Sequence, residues 1–445
     1  MELAVVGMGR VGLVVAACLA DFGHRVWGVD NVEAKVAAME KGAMPFYEPG
    51  LEDLARKNQH AGRLSYTRDL ASTVGRACAI FLAVGTEEVA DGKPNLGPLF
   101  QVGEQIARCL DSYKVLVIKS TVPVGTAARL RSHLRARTRA GFDVVSNPEF
   151  LREGAAIDNF MRPDRVILGS ASEKATELLR EIYKHLYLLE TPFVIVDNET
   201  AELIKYATNA FLAAKITFIN EMAALCDATG ADVHSVARAM GLDKRIGPKF
   251  LHPGPGFGGS CLPKDTRTLA EMGRELGCSL PLAESIAQSN SAIVPQLVAR
   301  LEKKLGGLSG KTVAVLGLSY KPFTDDVRQS RAMEFVERLL AAGAAVRAHD
   351  PLANQEAARN LTHAALSFHA SPFAACEGAD AAAILTEWNE FRSLSLKELR
   401  QPMKGAVLLD ARNVYDPDEA VAAGFDYMGR GRAPRRSDQA ARRTG

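Results

Sequence analysis

No two of the cysteines form a CxxC pair. The seven, Cys18, Cys78, Cys109, Cys226, Cys261, Cys278 and Cys376, are odd in number and scattered. That disfavours a disulfide scaffold and suits a reducing cytoplasm, the expected location. The nine histidines show no metal-ligand spacing with them, so no metal is expected. Neither sign of charge dominates: the net charge is +2, too weak a field to draw nucleic acid or a membrane surface. No uncharged apolar run is long enough to cross a bilayer, and no basic stretch precedes the first apolar segment. Neither a membrane span nor a secretory leader is therefore expected. What the chain does have is 445 residues, 47% of them hydrophobic, enough for about three domains.

The first apolar run, Leu3 to Val6, leads into Gly7-Met8-Gly9-Arg10-Val11-Gly12. A helical pattern from Leu13 to Phe22 and a second strand, Arg25 to Val29, ending at Asp30, follow. Strand, GxGxxG, helix, strand and acid in this order predict a dinucleotide site. The glycines permit a tight turn, close approach of a pyrophosphate and close helix–strand packing, and the helix N-terminus faces the phosphates. An acid at Asp30 accepts from ribose hydroxyls and repels a 2′-phosphate, which favours NAD over NADP. Further strands at Ala79–Val84 and Val115–Lys119 end near Thr86 and Thr121, which are either cofactor contacts or turn residues. Asp91 to Pro94 reads as a surface turn. Val144–Ser146 is another strand and runs into Asn147-Pro148-Glu149-Phe150-Leu151-Arg152-Glu153-Gly154. On a helix, the two acids of this stretch would share a face.

From Glu199 to Thr229 the pattern is helical and free of Pro and Gly. Lys205 and Asn209 lie one turn apart on it. They read either as an ammonium and an amide converging on an oxyanion or as a solvated stripe. Shorter helices follow at Asp232–Ala239, Thr266–Leu276 and Pro281–Lys304. Between the first two lies FLHPGPGFGGSCLPKD, Phe250 to Asp265. Such a loop lets a ligand lie against the backbone. The thiol at its end, beside a lysine and a helix start, reads as a reactive nucleophile or as a buried, inert cysteine. Lys311 to Gly317 opens a third region, with strands at Ala345–Ala348, Ala381–Leu385 and Val407–Asp410. It repeats the Rossmann plan without the glycine fingerprint, so a second dinucleotide site is not expected. The loop with Lys321, Asp325, Asp326, Arg328 and Arg331 suits phosphate or carboxylate contacts, or a salt-bridged surface. Gly429 to Gly445 holds six arginines and reads as a solvated, disordered tail.

Six stretches carry a resemblance. They are GMGRVG with Asp30, KSTVPVGT, NPEFLREG, the helix with Lys205 and Asn209, RIGPKFLHPGPGFGGSCLPKD, and YKPFTDDVR. In this order they resemble the UDP-glucose/GDP-mannose dehydrogenase family of nucleotide-sugar 6-dehydrogenases, from Met1 to residue 428. The resemblance implies an α/β fold: two Rossmann-like domains with parallel sheets joined by a helical middle domain containing a long spine helix. The implied boundaries are 1–198 for NAD binding, 199–305 for the helical dimerisation domain and 306–428 for nucleotide-sugar binding, with 429–445 as the basic tail.

The chemistry it implies is a four-electron oxidation at sugar C6 consuming two NAD. Cys261 is the implied nucleophile, passing through a thiohemiacetal and a thioester. Lys205 and Asn209 are implied to steady the oxyanion, Asp265 and Thr121 to hold a water, and Glu149 to act as base in hydrolysis. The implied cofactor contacts are Gly7, Gly9, Val11, Gly12, Asp30, Lys35, Thr86, Thr121, Glu153, Lys264 and Arg328. The nucleotide sugar is implied to lie against Glu149, Phe150, Leu151, Arg152 and Glu153, against Lys205 and Asn209, and against the loop Phe250, Leu251, His252, Pro253 and Gly254. Gly258, Lys321 and Arg412 are further implied contacts. Arg245 is implied to reach the substrate of a neighbouring subunit, which requires a homodimer or higher oligomer.

Gly241 to Leu251 resembles the UDP-glucose group more than the GDP-mannose group. Ser260 and Lys264-Asp265 separate the chain from the UDP-N-acetylmannosamine group. UDP-glucose is the expected substrate and GDP-mannose the alternative. Two positions depart from the family pattern: Glu87-Glu88 stands where proline is usual, and Arg10 where many bacterial relatives have tyrosine. Two rival readings are a one-step dehydrogenase of the hydroxyacid or 6-phosphogluconate type, which needs no cysteine, and a non-catalytic NAD-binding regulator, which needs none of Lys205, Asn209 and Cys261.

Overall fold

The computed structural model describes residues 1–88 and 93–433. Asp91 and Gly92 of the turn expected at Asp91–Pro94, and the tail from 434 onward, fall outside them. Two compact units divide the chain, 1–208 and 209–445.

The first unit is built on an eight-stranded sheet. Its strands are β1 (Glu2–Val6), β2 (Arg25–Val29), β3 (Leu64–Thr67), β4 (Ala79–Leu82), β5 (Lys114–Ile118), β6 (Phe142–Ser146), β7 (Val166–Gly169) and β8 (Phe193–Val196), in the order 3-2-1-4-5-6-7-8. Side chains alternate across it. Leu3 and Val5 enter one buried cluster and Ala4 and Val6 the other. Burial on both faces explains why the strands read as unbroken apolar runs. Each buried Val or Leu contributes roughly 1.5–3 kcal/mol. All neighbours pair in parallel except β6 and β7, which meet antiparallel at Ser146 and Gly169 alone. The long helix, Asn198–Thr229, begins in this unit. Its Asn198 amide accepts the Ser146 N–H at 2.7 Å and donates to Val144 at 3.2 Å, fixing the helix start to β6.

In the second unit the long helix ends before Gly230, whose φ of +77° no other residue adopts easily. Helices Val233–Leu242, Leu262–Glu275 and Pro281–Leu305 follow. A six-stranded sheet completes the unit: β9 (Thr312–Leu316), β10 (Ala345–His349), β11 (Leu366–Phe368), β12 (Ala381–Ile384), β13 (Val407–Asp410) and β14 (Asp426–Met428). The order is 11-10-9-12-13-14, parallel throughout. Asp350 Oδ2 accepts the Leu318 and Ser319 N–H groups and the Trp388 indole, while Oδ1 accepts from Leu352 and Ala353.

The segment expected as a solvated tail is folded at its start. Arg430 is 3% exposed, and Gly429 and Gly431 are buried. Composition marks both arginines of this stretch, Arg430 and Arg432, as solvated. Gly431, at φ +64°, instead lets the backbone pass against Ala223, where a Cβ would meet Ala223 Cα at 2.6 Å. Among the described residues no helix is long and apolar enough to cross a membrane.

Candidate active site

The glycine turn divides the labour of its three glycines. Gly7 has a φ of +95°, and a Cβ there would strike the Ala83 carbonyl at 2.7 Å. A Cβ on Gly12 would stand 1.8 Å from the Gly7 carbonyl oxygen, so the helix Arg10–Asp21 can rest on the turn only through glycine. Gly9 has nothing within 4 Å of such a Cβ. It caps a helix whose first N–H groups receive no side-chain cap, an opening that fits a phosphate. Val11 is half-buried against the core beneath. At the end of β2, Asp30 accepts the Met8 N–H at 2.9 Å, the Val32 N–H at 3.1 Å and Lys35 Nζ at 2.6 Å. Burial works against its ionisation, but the Lys35 bond and the two N–H donors outweigh it and hold the carboxyl below its usual range. Lys35 thus joins the site through Asp30. Thr86 donates to the Thr121 carbonyl at 3.0 Å, joining the ends of the two neighbouring strands.

Glu149 to Glu153 is not helical, so the two acids share no face. Pro148 and Gly154, at φ +78°, flank an irregular stretch, and the Glu149 carboxylate turns back onto the Leu151 N–H at 2.6 Å. Its other oxygen accepts Lys205 Nζ at 3.0 Å, and Lys205 also donates to the Glu149 carbonyl at 2.7 Å. Lys205 is 4% and Glu149 6% exposed, which rules out the solvated stripe. Phe150 stacks beneath the Arg165 guanidinium at 3.8 Å. Arg152 bonds Asn159, and Glu153 faces Arg10 at 3.7 Å. Arg10, which departs from the family pattern, therefore ties the glycine turn to this segment.

The second unit gathers the thiol and its neighbours. Cys261 is exposed and stands at the N-terminus of the helix Leu262–Glu275, whose dipole favours negative charge there. It is therefore not a buried cysteine. Cys18 and Cys376 are of that kind: burial pushes both thiols up, Cys376 to about 12. One turn beyond Cys261, Asp265 is 1% exposed, accepts Asn209 Nδ2 at 2.6 Å and faces Lys264 Nζ at 3.2 Å.

The loop before the thiol is pinned throughout. Phe250 takes a φ of +66° and Leu251 is buried. Pro253 is buried while His252 is exposed. Gly254 passes so close to Arg412 that a Cβ would lie 2.8 Å from Nη1. A Cβ on Gly258 would meet the Gln329 carbonyl at 2.5 Å and Tyr320 at 3.3 Å, which brings Tyr320 and Lys321 to the loop. Arg328 bonds Asp326 through Nε and Nη2 at 2.6–3.0 Å, and Arg245 is 89% exposed and bonds Asp243.

The chain matches known proteins along nearly its whole length. Residues 1–187 match the model of the UDP-glucose/GDP-mannose dehydrogenase family NAD binding domain, 199–292 its central domain, and 314–417 its UDP binding domain. The chain belongs to the UDP-glucose/GDP-mannose dehydrogenase family. It is 45% identical over 437 residues to a UDP-glucose 6-dehydrogenase of Rhizobium meliloti, covering 97% of this chain and 100% of that one. Among solved structures it resembles a UDP-glucose dehydrogenase from Pyrobaculum islandicum (TM-score 0.90, 37% identity, 97% and 98% covered). It also resembles a UDP-D-ManNAc dehydrogenase from Pyrococcus horikoshii (TM-score 0.86, 28% identity, 97% and 99% covered). The chain is an NAD-dependent dehydrogenase of this family, and the open Gly9 cradle beside Asp30 fits that cofactor.

Sequence reasoning missed three buried amides and an acid. Glu202, 3% exposed, accepts N–H groups of Gly125 (2.6 Å) and Ala127 (2.8 Å), capping the helix Thr126–Arg135. Asn290 holds both the N–H and the carbonyl of Phe257. Asn220 holds Gly254, and Asn147 accepts both Lys119 and Tyr183. Polar residues inside apolar helical runs were the available signal, but spacing alone does not tell a buried amide from a solvated one.

Proposed function

We propose that the protein oxidises UDP-glucose at C6 to UDP-glucuronate through a thioester on Cys261. The observation that carries the reading is an exposed thiol at a helix N-terminus, one turn from a buried Asp265–Asn209 pair, at the end of a pinned glycine loop. NAD supplies the hydride acceptor for both oxidations. The first removes a hydride and a proton from the C6 alcohol. The Cys261 thiolate then adds to the aldehyde carbon, and the adduct has the C–H and oxyanion that a second hydride loss needs. Water attacks the resulting thioester, releasing the carboxylate and the thiol. Overall one alcohol, one water and two NAD+ give one carboxylate, two NADH and three protons, released to solvent.

Lys205, fixed by two bonds to Glu149, supplies positive charge to the oxyanion, and Asn209 an N–H. Glu149 acts as base toward the hydrolytic water, which Thr121 and Asp265 hold. Gly7, Gly9, Val11, Gly12, Asp30, Lys35, Thr86, Glu153, Lys264 and Arg328 serve the cofactor. Residues 149–153, Phe250–Gly254, Gly258, Lys321 and Arg412 serve the nucleotide sugar. The domains proposed for these tasks are 1–198, 199–305 and 306–428. Phe211, Phe218 and Leu225, exposed at seven-residue spacing on the long helix, support a homodimer or larger assembly in which Arg245 serves a neighbouring subunit. A cytoplasmic location is proposed from the unpaired cysteines of the sequence.

The test counts NADH formed per UDP-glucose consumed, in wild type and Cys261→Ala, with GDP-mannose in parallel. Two per UDP-glucose and no uronate from the variant are expected. One per sugar, unchanged by the substitution, would eliminate the covalent route.

A further inference from the structure

We infer that Arg430 is a positioning residue for the nucleotide-sugar loop, acting through Asn220 on the Gly254 amide. The inference rests on the proposed role of that loop. Arg430 lies beyond the matched UDP binding domain, in the stretch that composition assigns to a solvated tail.

Asn220 stands on the long helix and is 2% exposed. Its Nδ2 donates to the Ile216 carbonyl at 3.0 Å, which orients Oδ1 the other way. Oδ1 then accepts two donors: the Gly254 N–H at 3.0 Å and Arg430 Nε at 2.9 Å. The Arg430 main chain cannot drift. Asn413 accepts its N–H at 2.8 Å and donates to its carbonyl at 2.7 Å. On either side, Arg300 donates to the Gly429 carbonyl at 2.9 Å and the Val233 N–H to that of Gly431 at 2.9 Å. Gly254 is thereby gripped through its N–H by the Asn220–Arg430 pair, while Arg412 closes the space a side chain would need.

A buried guanidinium is a poor stabiliser, because desolvation opposes it and an apolar side chain of similar size often does as well. Burial pulls the Arg430 pKa down to about 10, with Arg300 lowering it further and Asp227 raising it, so the group stays charged at neutral pH. Its Nε meets a neutral amide oxygen. A charged donor there polarises that oxygen and fixes the amide plane, which a chain packing only for stability does not require.

The test uses Arg430→Met, Asn220→Ala and the double variant of the full chain. KM for UDP-glucose, KM for NAD and kcat are measured separately, with amide exchange across 250–259 in the unliganded protein. Arg430→Met should raise KM for UDP-glucose about tenfold, as expected for losing a hydrogen bond to a charged group. It should leave kcat and KM for NAD within about twofold and speed exchange at Gly254. The double variant should be no worse than Asn220→Ala. Arg430→Lys keeps charge and stem without the guanidinium and should raise KM about threefold; it carries the test if the methionine variant is recovered unfolded. Equal effects on both substrates, effects that multiply in the double variant, or unchanged exchange at Gly254 would overturn the inference. If the wild type fails to oxidise UDP-glucose, the proposed substrate falls, and Gly254 exchange alone still decides for or against Arg430.

Discussion

Two single-methyl substitutions in the glycine turn should separate architecture from binding. Gly12→Ala places a carbon 1.8 Å from the Gly7 carbonyl oxygen, whereas real contacts of this kind stay above 3.0 Å. The turn must open by about 1 Å in an interior packed too densely to yield freely. Overpacking of this sort costs about 1–3 kcal/mol, which for a unit of this size lowers Tm by about 5 °C. Gly9→Ala meets nothing within 4 Å, and its φ of −81° and ψ of −168° suit any residue. It loses only the preference of a helix N-cap for glycine over alanine, so Tm should shift by no more than about 2 °C. A methyl there stands where the pyrophosphate approaches. Affinity for NADH should therefore fall at least tenfold, about 1.4 kcal/mol. Differential scanning calorimetry and NADH fluorescence titration read the two effects. A Gly9→Ala protein that binds NADH like wild type would refute the placement of the phosphates, and a Gly12→Ala protein of wild-type stability would refute the turn.

Burial pushes the Glu202 carboxyl up to about 7, against the N–H groups of Ala127 and Gly125. A carboxyl with a raised pKa binds its proton more tightly when folded, so its contribution is full below about pH 4 and lost as pH rises through 7. Wild-type Tm should accordingly fall more steeply between pH 5 and 8 than that of Glu202→Gln; parallel curves would show that Glu202 titrates normally. Phe211 is 66% and Phe218 44% exposed. If they cover each other between subunits, Phe211→Asp with Phe218→Asp should lower the mass measured by light scattering to that of one chain, and an unchanged mass would exclude this face.

The parts of the fold visible in the sequence were those with local causes. The first turn was legible because three glycines and an acid have separate steric and electrostatic tasks within one unit of chain. The long helix was legible because no breaker interrupts it before Gly230. β3, β7, β8, β11 and β14 were not foreseen, since each is only three or four residues long and too short to show a period. In the site, Lys205 and Asn209 were read as one pair on one face. Their actual partners, Glu149 and Asp265, each lie 56 residues away, which no local pattern encodes. Arg430 was misread for the same reason: composition counts charges, while the amide that receives its guanidinium comes from Asn220 and the one that fixes its main chain from Asn413.

The two sheets open with the same strand, turn and terminal acid, yet the two acids differ in what they leave available. Asp30 accepts the Met8 and Val32 N–H groups and also takes the half-buried Lys35 ammonium. Asp350 has both oxygens engaged by main-chain N–H groups, with the Trp388 ring closing over one of them. Asp350 is thus committed to the fold: its oxygens tie the turn after β9 to the end of β10 and the residues that follow it. A chain with two similar halves thereby remains asymmetric in what it takes up. At saturation it should hold one dinucleotide per chain, which equilibrium dialysis with NADH would count.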